Sequence, residues 1–256
     1  MHKRPWQTPH TLLILMSVAM PIAFSSWAAL LNNFVVERAG FTGVEIGILQ
    51  SLREVPGFLA FTTVFVLLIL REQVFAVVAL AILGIGVALA GFFPTALGLY
   101  LTTVLMSTGF HYFEVLKQSL ALQWYEKADA PQALGKLISV GAITSLVVYA
   151  VLWVLLTLFS IDYVWIFLLA GSVCCGLAVF MWIGFPRFEA EIEQTHKLVL
   201  RKRYWLFYAL QFLSGARRQI FMVFAAFLMV EKFGYSAAQV TTLFLINYAL
   251  NWLFAE

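Results

Sequence analysis

The chain has 256 residues, of which 62% are hydrophobic and only 11% charged, with a mean hydropathy of +0.92. Soluble domains carry about a quarter charged residues, so the polar surface here is too small to cover a water-facing core. A formal charge of +3 is too weak to point to nucleic acid.

Apolar stretches of the length that crosses a bilayer, about 20 residues, recur with short breaks. They predict helices at about 11–36, 42–70, 73–92, 95–122, 134–159, 162–184, 204–230 and from 237 to the chain end. The breaks carry turn chemistry: "ERAGFTG", "REQ", "FFPT", "EKADAPQ", "SID" and the longer "PRFEAEIEQTHKLVLRKR". The first segment is no cleavable signal peptide, because it is too long and leads straight into a second span. In the sixth, Cys174 and Cys175 fall in small-residue ladders, Ala170-Cys174-Ala178 and Gly171-Cys175, of the kind that lets membrane helices approach closely. Adjacent cysteines form neither a disulfide framework nor a metal-ligand spacing. Four histidines, two of them (His2 and His10) near the N-terminus, do not build a metal site, and no phosphate loop or nucleophile elbow is present. Neither an enzyme nor a cofactor is expected.

Lysine and arginine orient the spans. Lys3, Arg4, Arg71, Lys127, Lys136, Arg187, Lys197, Arg201, Lys202 and Arg203 lie on the side of the N-terminus, and only Arg38 and Lys232 on the other. The N-terminus is therefore expected in the cytoplasm. The predicted organisation is a six-helix bundle at 1–185, a cytoplasmic loop at 186–203 and an incomplete second bundle at 204–256. Within the loop, Glu189, Glu191 and Glu193 precede a basic end that suits anionic headgroups, and Glu193 and Lys197 are spaced for a short surface helix.

An internal repeat links the first and seventh segments. "VERAGFTGVEIG" (from Val36) aligns with "VEKFGYSAAQVT" (from Val230), matching Val, Glu, Arg/Lys, Gly, Phe/Tyr, Thr/Ser and Glu/Gln across 194 positions. Six crossings return the chain to its starting side, so this is a parallel repeat about an axis along the membrane normal. Two six-helix halves, a charged central loop and this repeat resemble the major facilitator superfamily of secondary transporters. The resemblance implies twelve helices, of which this sequence would supply about eight. It departs from that family's pattern in three places. The Gly/Asp/Arg-rich loop after the second helix is reduced to "LREQV", Leu105 stands where proton-coupled members carry an arginine, and "SVGAITSLVVYAV" lacks a Gly-Pro pair.

Charges within spans mark candidate sites, because each costs about 2.5–3.5 kcal/mol at bilayer depth. In the seventh segment, Gln211, Ser214 and Arg218 share a polar face, whereas Arg217 points about 100° away towards Leu210, Phe221 and Phe224. In the second, Gln50, Arg53, Glu54 and Gly57 share a face beside Pro56; the repeat maps Arg53 to Asn247 and Gly57 to Asn251. In the fourth, His111, Glu114 and Gln118 form one face with Lys117 nearby. Tyr112 and Tyr149 are weaker pore-lining candidates.

The expected function is alternating-access permeation of a small solute at the midplane. Arg218, Gln211, Arg53, Asn247 and Asn251 would contact the solute, and Glu114, His111, Glu54, Lys117 and Arg217 would couple or gate. Four basic groups against two acidic ones favour an organic or phosphorylated anion. The alternatives are a neutral solute such as a sugar, with structural ion pairs Arg53–Glu54 and Glu114–Lys117, or a non-transporting receptor or assembly factor. By the resemblance, the protein is expected to be a monomeric symporter of the bacterial inner membrane, with protons as the coupling ion.

Overall fold

The computed structural model describes residues 5–188 and 201–254, with the side chains of 215–223 and 251–254 outside that description. Helix α1 (Pro9–Ala39) begins where the Thr8 hydroxyl accepts from the Thr11 amide at 3.1 Å, and Pro9 occupies the first helical position, which needs no amide partner. Helix α2 (Gly43–Leu59) opens on a capping box, with the Thr42 amide donating to Glu45 Oε2 at 2.9 Å.

The helix expected over 42–70 does not run through. After Leu59 the chain tightens into a 3₁₀ turn at Ala60–Thr62 and resumes as the short α3 (Thr63–Val66). The cause is local. Thr62 donates its hydroxyl to the Leu59 carbonyl at 2.7 Å and Thr63 to the Ala60 carbonyl at 2.6 Å, a back-bonding that favours the tighter turn. Tyr112 pairs with Thr62 at this break.

Four long helices complete the first bundle: α4 (Glu72–Ala90), α5 (Ala96–Trp124), α6 (Ala130–Thr157) and α7 (Tyr163–Gly184). Helix α6 starts ahead of the predicted residue 134 because Pro131 fits its first turn. Then follow α8 (Trp205–Glu231) and α9 (Ala237–Phe254). Among the described residues, α1, α4, α6 and α7 are each long and apolar enough to cross a membrane.

Helix α4 packs backbone to backbone against α5 and α7. A Cβ added at Gly109 would sit 2.3 Å from the Leu83 amide nitrogen, and one at Gly171 would sit 2.3 Å from the Gly84 carbonyl oxygen. The Cys174 and Cys175 thiols reach the Leu80 and Ala81 carbonyls at 3.5 Å, as a packing role requires. Helix α1 touches α4 through α9 and buries Leu12, Leu13, Met16, Ala19, Ala23, Leu30 and Phe34. A helix buried on all sides is one that is apolar all round.

The repeat is visible atom by atom. Gly40 and Gly234 end α1 and α8 in the left-handed region, at φ 64° and 66°. The next amides, of Phe41 and Tyr235, each reach back to the Val35 and Met229 carbonyls at 3.0 Å. Thr42 with Glu45 then opens α2 as Ser236 with Gln239 opens α9, the Ser236 amide donating to Gln239 Oε1 at 2.8 Å. At this Gly40 end the second half touches the first. Asn33 Nδ2 donates to the Tyr235 carbonyl at 2.8 Å, and Phe227, Val230, Ala237, Val240 and Thr241 are buried. At the opposite end of α8, Trp205, Leu206, Phe207 and Tyr208 are exposed.

Candidate functional site

A cavity of about 400 Å³ opens between α1, α5, α6 and α9, within the usual range of small-molecule sites, about 300–1,000 Å³. Its walls are Ser17, Met20, Pro21, Phe24 and Ser25 of α1, Phe110 and Lys117 of α5, Leu137 to Ser145 of α6, and Tyr248 of α9. It lies between the middle of these helices and the end that carries Pro9, Trp124 and Ala130. Phe24 and Phe110 stack at 4.3 Å between centroids and 15° between planes. Ser25 and Ser145 join α1 to α6 through a 3.0 Å hydroxyl pair. Beside the cavity Tyr149 stacks on Phe244 and meets Tyr248 edge-on, so the two halves share an aromatic contact.

A second cavity of about 440 Å³ lies at the end of the bundle that carries Arg71 and Arg187, lined by residues 67–74, the end of α5, Arg187 and Phe188. There the Gln73 amide clamps the chain after α7, donating to the Pro186 carbonyl and accepting from the Phe188 amide, each at 2.9 Å. All its walls belong to the first half and the start of the loop, so the smaller cavity is the better solute candidate.

Beside the 400 Å³ cavity runs a chain of charges along the α2–α5 interface. Lys117 Nζ donates to Glu114 Oε1 at 2.6 Å, one helical turn away. Arg53 pairs with Glu54 at 2.6 Å, and His111 Nε2 lies 4.0 Å from the other Glu54 oxygen. Gly57 makes room for the imidazole, since a Cβ there would lie 2.8 Å from His111 Cε1. The His111 Nε2 and Gln50 Oε1 atoms are buried without a hydrogen-bond partner among the described residues. Ser107 donates to the Arg53 carbonyl, fixing α2 to α5 where Pro56 removes an amide from the helix ladder.

The structure thus brings together Arg53, Glu54, His111, Glu114 and Lys117. Gln211 is exposed on α8 and Asn247 on α9, and neither lines the cavity, nor does Arg53. The side chains of Arg217, Arg218 and Asn251 lie outside the described residues, as does the acidic-to-basic stretch from Glu189 to Lys197. Lys117, expected to couple or gate, stands on the cavity wall. Sequence reasoning missed Ser17, Ser145 and Tyr248. The available signal was Ser17, Pro21 and Ser25 at i, i+4, i+8, a spacing that puts the two serines on one side of α1.

The sequence matches no protein-family model and no characterised protein. Its fold is similar to that of nucleoside transporter NupG. A structure of a NupG mutant aligns with a TM-score of 0.74 at 17% identity, covering 96% of this chain and 66% of that one. A second NupG structure gives 0.70 at 18%. The POT family transporter PepTSo gives 0.54 at 16%, covering 96% of this chain and 52% of that one. The chain therefore spans just under two thirds of the NupG length. The fold is all-α and integral to the membrane, with the major-facilitator-like arrangement of a six-helix half followed by the first two helices of a second.

Proposed function

We propose that this chain forms part of a secondary active transporter that moves a small solute by alternating access. One observation carries the reading: the 400 Å³ cavity takes its walls from α1, α5 and α6 of one half and from Tyr248 of the other. A site shared by two repeat-related halves is the element that rocking of one half against the other exposes to each side in turn. Similarity to a nucleoside transporter makes a nucleoside the first solute to try.

The charge tally now weighs differently. Arg53 and Lys117 each have a carboxylate partner at 2.6 Å, so the case for an anion rests on Arg217 and Arg218 alone. The pairing supports the neutral-solute reading. Coupling falls to the His111–Glu54 and Glu114–Lys117 groups, with protons as the coupling ion and the protein acting as a monomeric symporter of a bacterial inner membrane. The test is uptake into proteoliposomes holding the full-length protein, with an imposed proton gradient and a panel of nucleosides, sugars and organic acids. Accumulation of one panel member that collapses with a protonophore is expected. No uptake of any member refutes the reading.

A further inference from the structure

We infer that the cavity between α1, α5, α6 and α9 is built for an uncharged, hydroxyl-bearing solute with a planar ring, an inference that rests on the transporter reading. Its polar groups are incomplete without a ligand. Ser17 is only 1% exposed and lines the cavity, yet its hydroxyl has no hydrogen-bond partner among the described residues. A buried hydroxyl left unpaired is costly, and a solute hydroxyl or carbonyl satisfies it. The Ser25–Ser145 pair places two further hydroxyl oxygens on the same wall.

Among the described residues, Lys117 is the one cation that lines the cavity, and it is paired with a carboxylate. Lys117 gives one N–H to Glu114 at 2.6 Å and has two more to donate to acceptor atoms. An entering anion meets the Glu114 carboxylate together with the ammonium, so the pair offers donors without a net field. Interleaved with these polar groups on the same helices stand apolar surfaces: the stacked Phe24 and Phe110, Met20, and the side-chain-poor Gly141–Ala142 segment. Hydroxyls set among flat apolar surfaces suit a planar ring that carries hydroxyls.

Gly141 sets the width. A Cβ there would lie 3.7 Å from the Ser17 carbonyl oxygen and 3.8 Å from Pro21 Cγ, ordinary contact distances, so the helices tolerate it while a longer side chain enters the cavity.

The experiment is equilibrium binding of radiolabelled uridine to the purified full-length protein, with unlabelled uridine and uridine 5′-monophosphate as competitors. Saturable binding displaced by uridine, and at least tenfold less well by the monophosphate, is expected. Ser17→Ala is expected to weaken binding about three- to tenfold, the effect of one lost hydrogen bond, and Gly141→Leu to abolish it. Ser17→Ala removes one oxygen and adds no volume, so it carries the test even where Gly141→Leu lowers the folded yield. Absence of uridine binding, stronger competition by the monophosphate, or wild-type affinity in Ser17→Ala overturns the inference. Proteoliposomes that take up an organic acid but no nucleoside overturn it too, yet leave the transporter reading standing; that reading falls only when no solute is moved.

Discussion

Arg53 and Lys117 enter the apolar zone already paired, each 2.6 Å from a carboxylate on its own helix. Opposite charges paired in this way lower the cost of both. Glu54 does double duty, because its second oxygen faces His111 at 4.0 Å. Glu114 likewise holds the lysine that lines the cavity. Glu114→Gln is expected to abolish accumulation against a gradient while sparing counterflow exchange; accumulation with unchanged pH dependence places the coupling group elsewhere. On α8, Arg218 shares a face with Gln211 and Ser214 in sequence. Arg218→Ala is expected to weaken solute binding about tenfold or more, the scale of a charge-assisted hydrogen bond. Arg217→Ala is expected to lower thermal stability with affinity retained. A larger affinity loss at Arg217 than at Arg218 means that the opposite face of α8 meets the solute.

At the scale of the helix, α1, α4, α6 and α7 were the most legible because each is a long apolar run bounded by turn residues. The capped glycine turns were legible too, since Gly40 and Gly234 sit in aligned sequence. The break after Leu59 was not. Thr62 and Thr63 are ordinary residues in a hydrophobic span until their hydroxyls are seen to back-bond and Tyr112 is seen to arrive from α5. The candidate site divides in the same way. The charged faces of α2 and α5 follow from helical periodicity, whereas Ser17, Ser145 and Tyr248 meet only through tertiary packing. Close packing gives a sharp test. Gly171→Val places atoms against the α4 backbone, where a Cβ already lies 2.3 Å from the Gly84 oxygen. Overpacking of this kind costs about 1–3 kcal/mol or more, so a melting temperature lower by several degrees is expected. Gly176→Ala, with nothing within 4 Å of its added carbon, is the control and is expected to match the wild type. Equal melting temperatures for the two variants contradict the packing argument.

For the whole molecule, orientation and conformational state are linked. We propose, from the excess of Lys and Arg at the N-terminal end, that this end faces the cytoplasm. Alkaline phosphatase fused after Ser160 is then expected to be active, and fused after Asp129 inactive; the reverse pattern inverts the topology. With that orientation, the two halves meet at the outer end, through Asn33 and the buried residues from Phe227 to Thr241, while the start of α8 is exposed. The cavity lies on the inner side of this contact. Asn33→Ala is expected to loosen the outer contact, so that a cysteine introduced by Ala28→Cys reacts faster with an impermeant maleimide added outside. Unchanged labelling contradicts a closing role for Asn33.

The outer contact has a property set by which atoms make it. Asn33 donates to the main-chain carbonyl of Tyr235, not to its phenol. Every residue carries that oxygen, so position 235 is free to drift in evolution while position 33 must keep a donor of the right reach. The bond also joins an amide to an amide and holds no titratable proton. The same Asn33 nitrogen, however, also donates to Glu37 Oε1 at 3.2 Å, so a carboxylate on the same helix stands beside the contact. The join between the two halves is thereby held by one nitrogen that answers both to the main chain of the second half and to a carboxylate of the first.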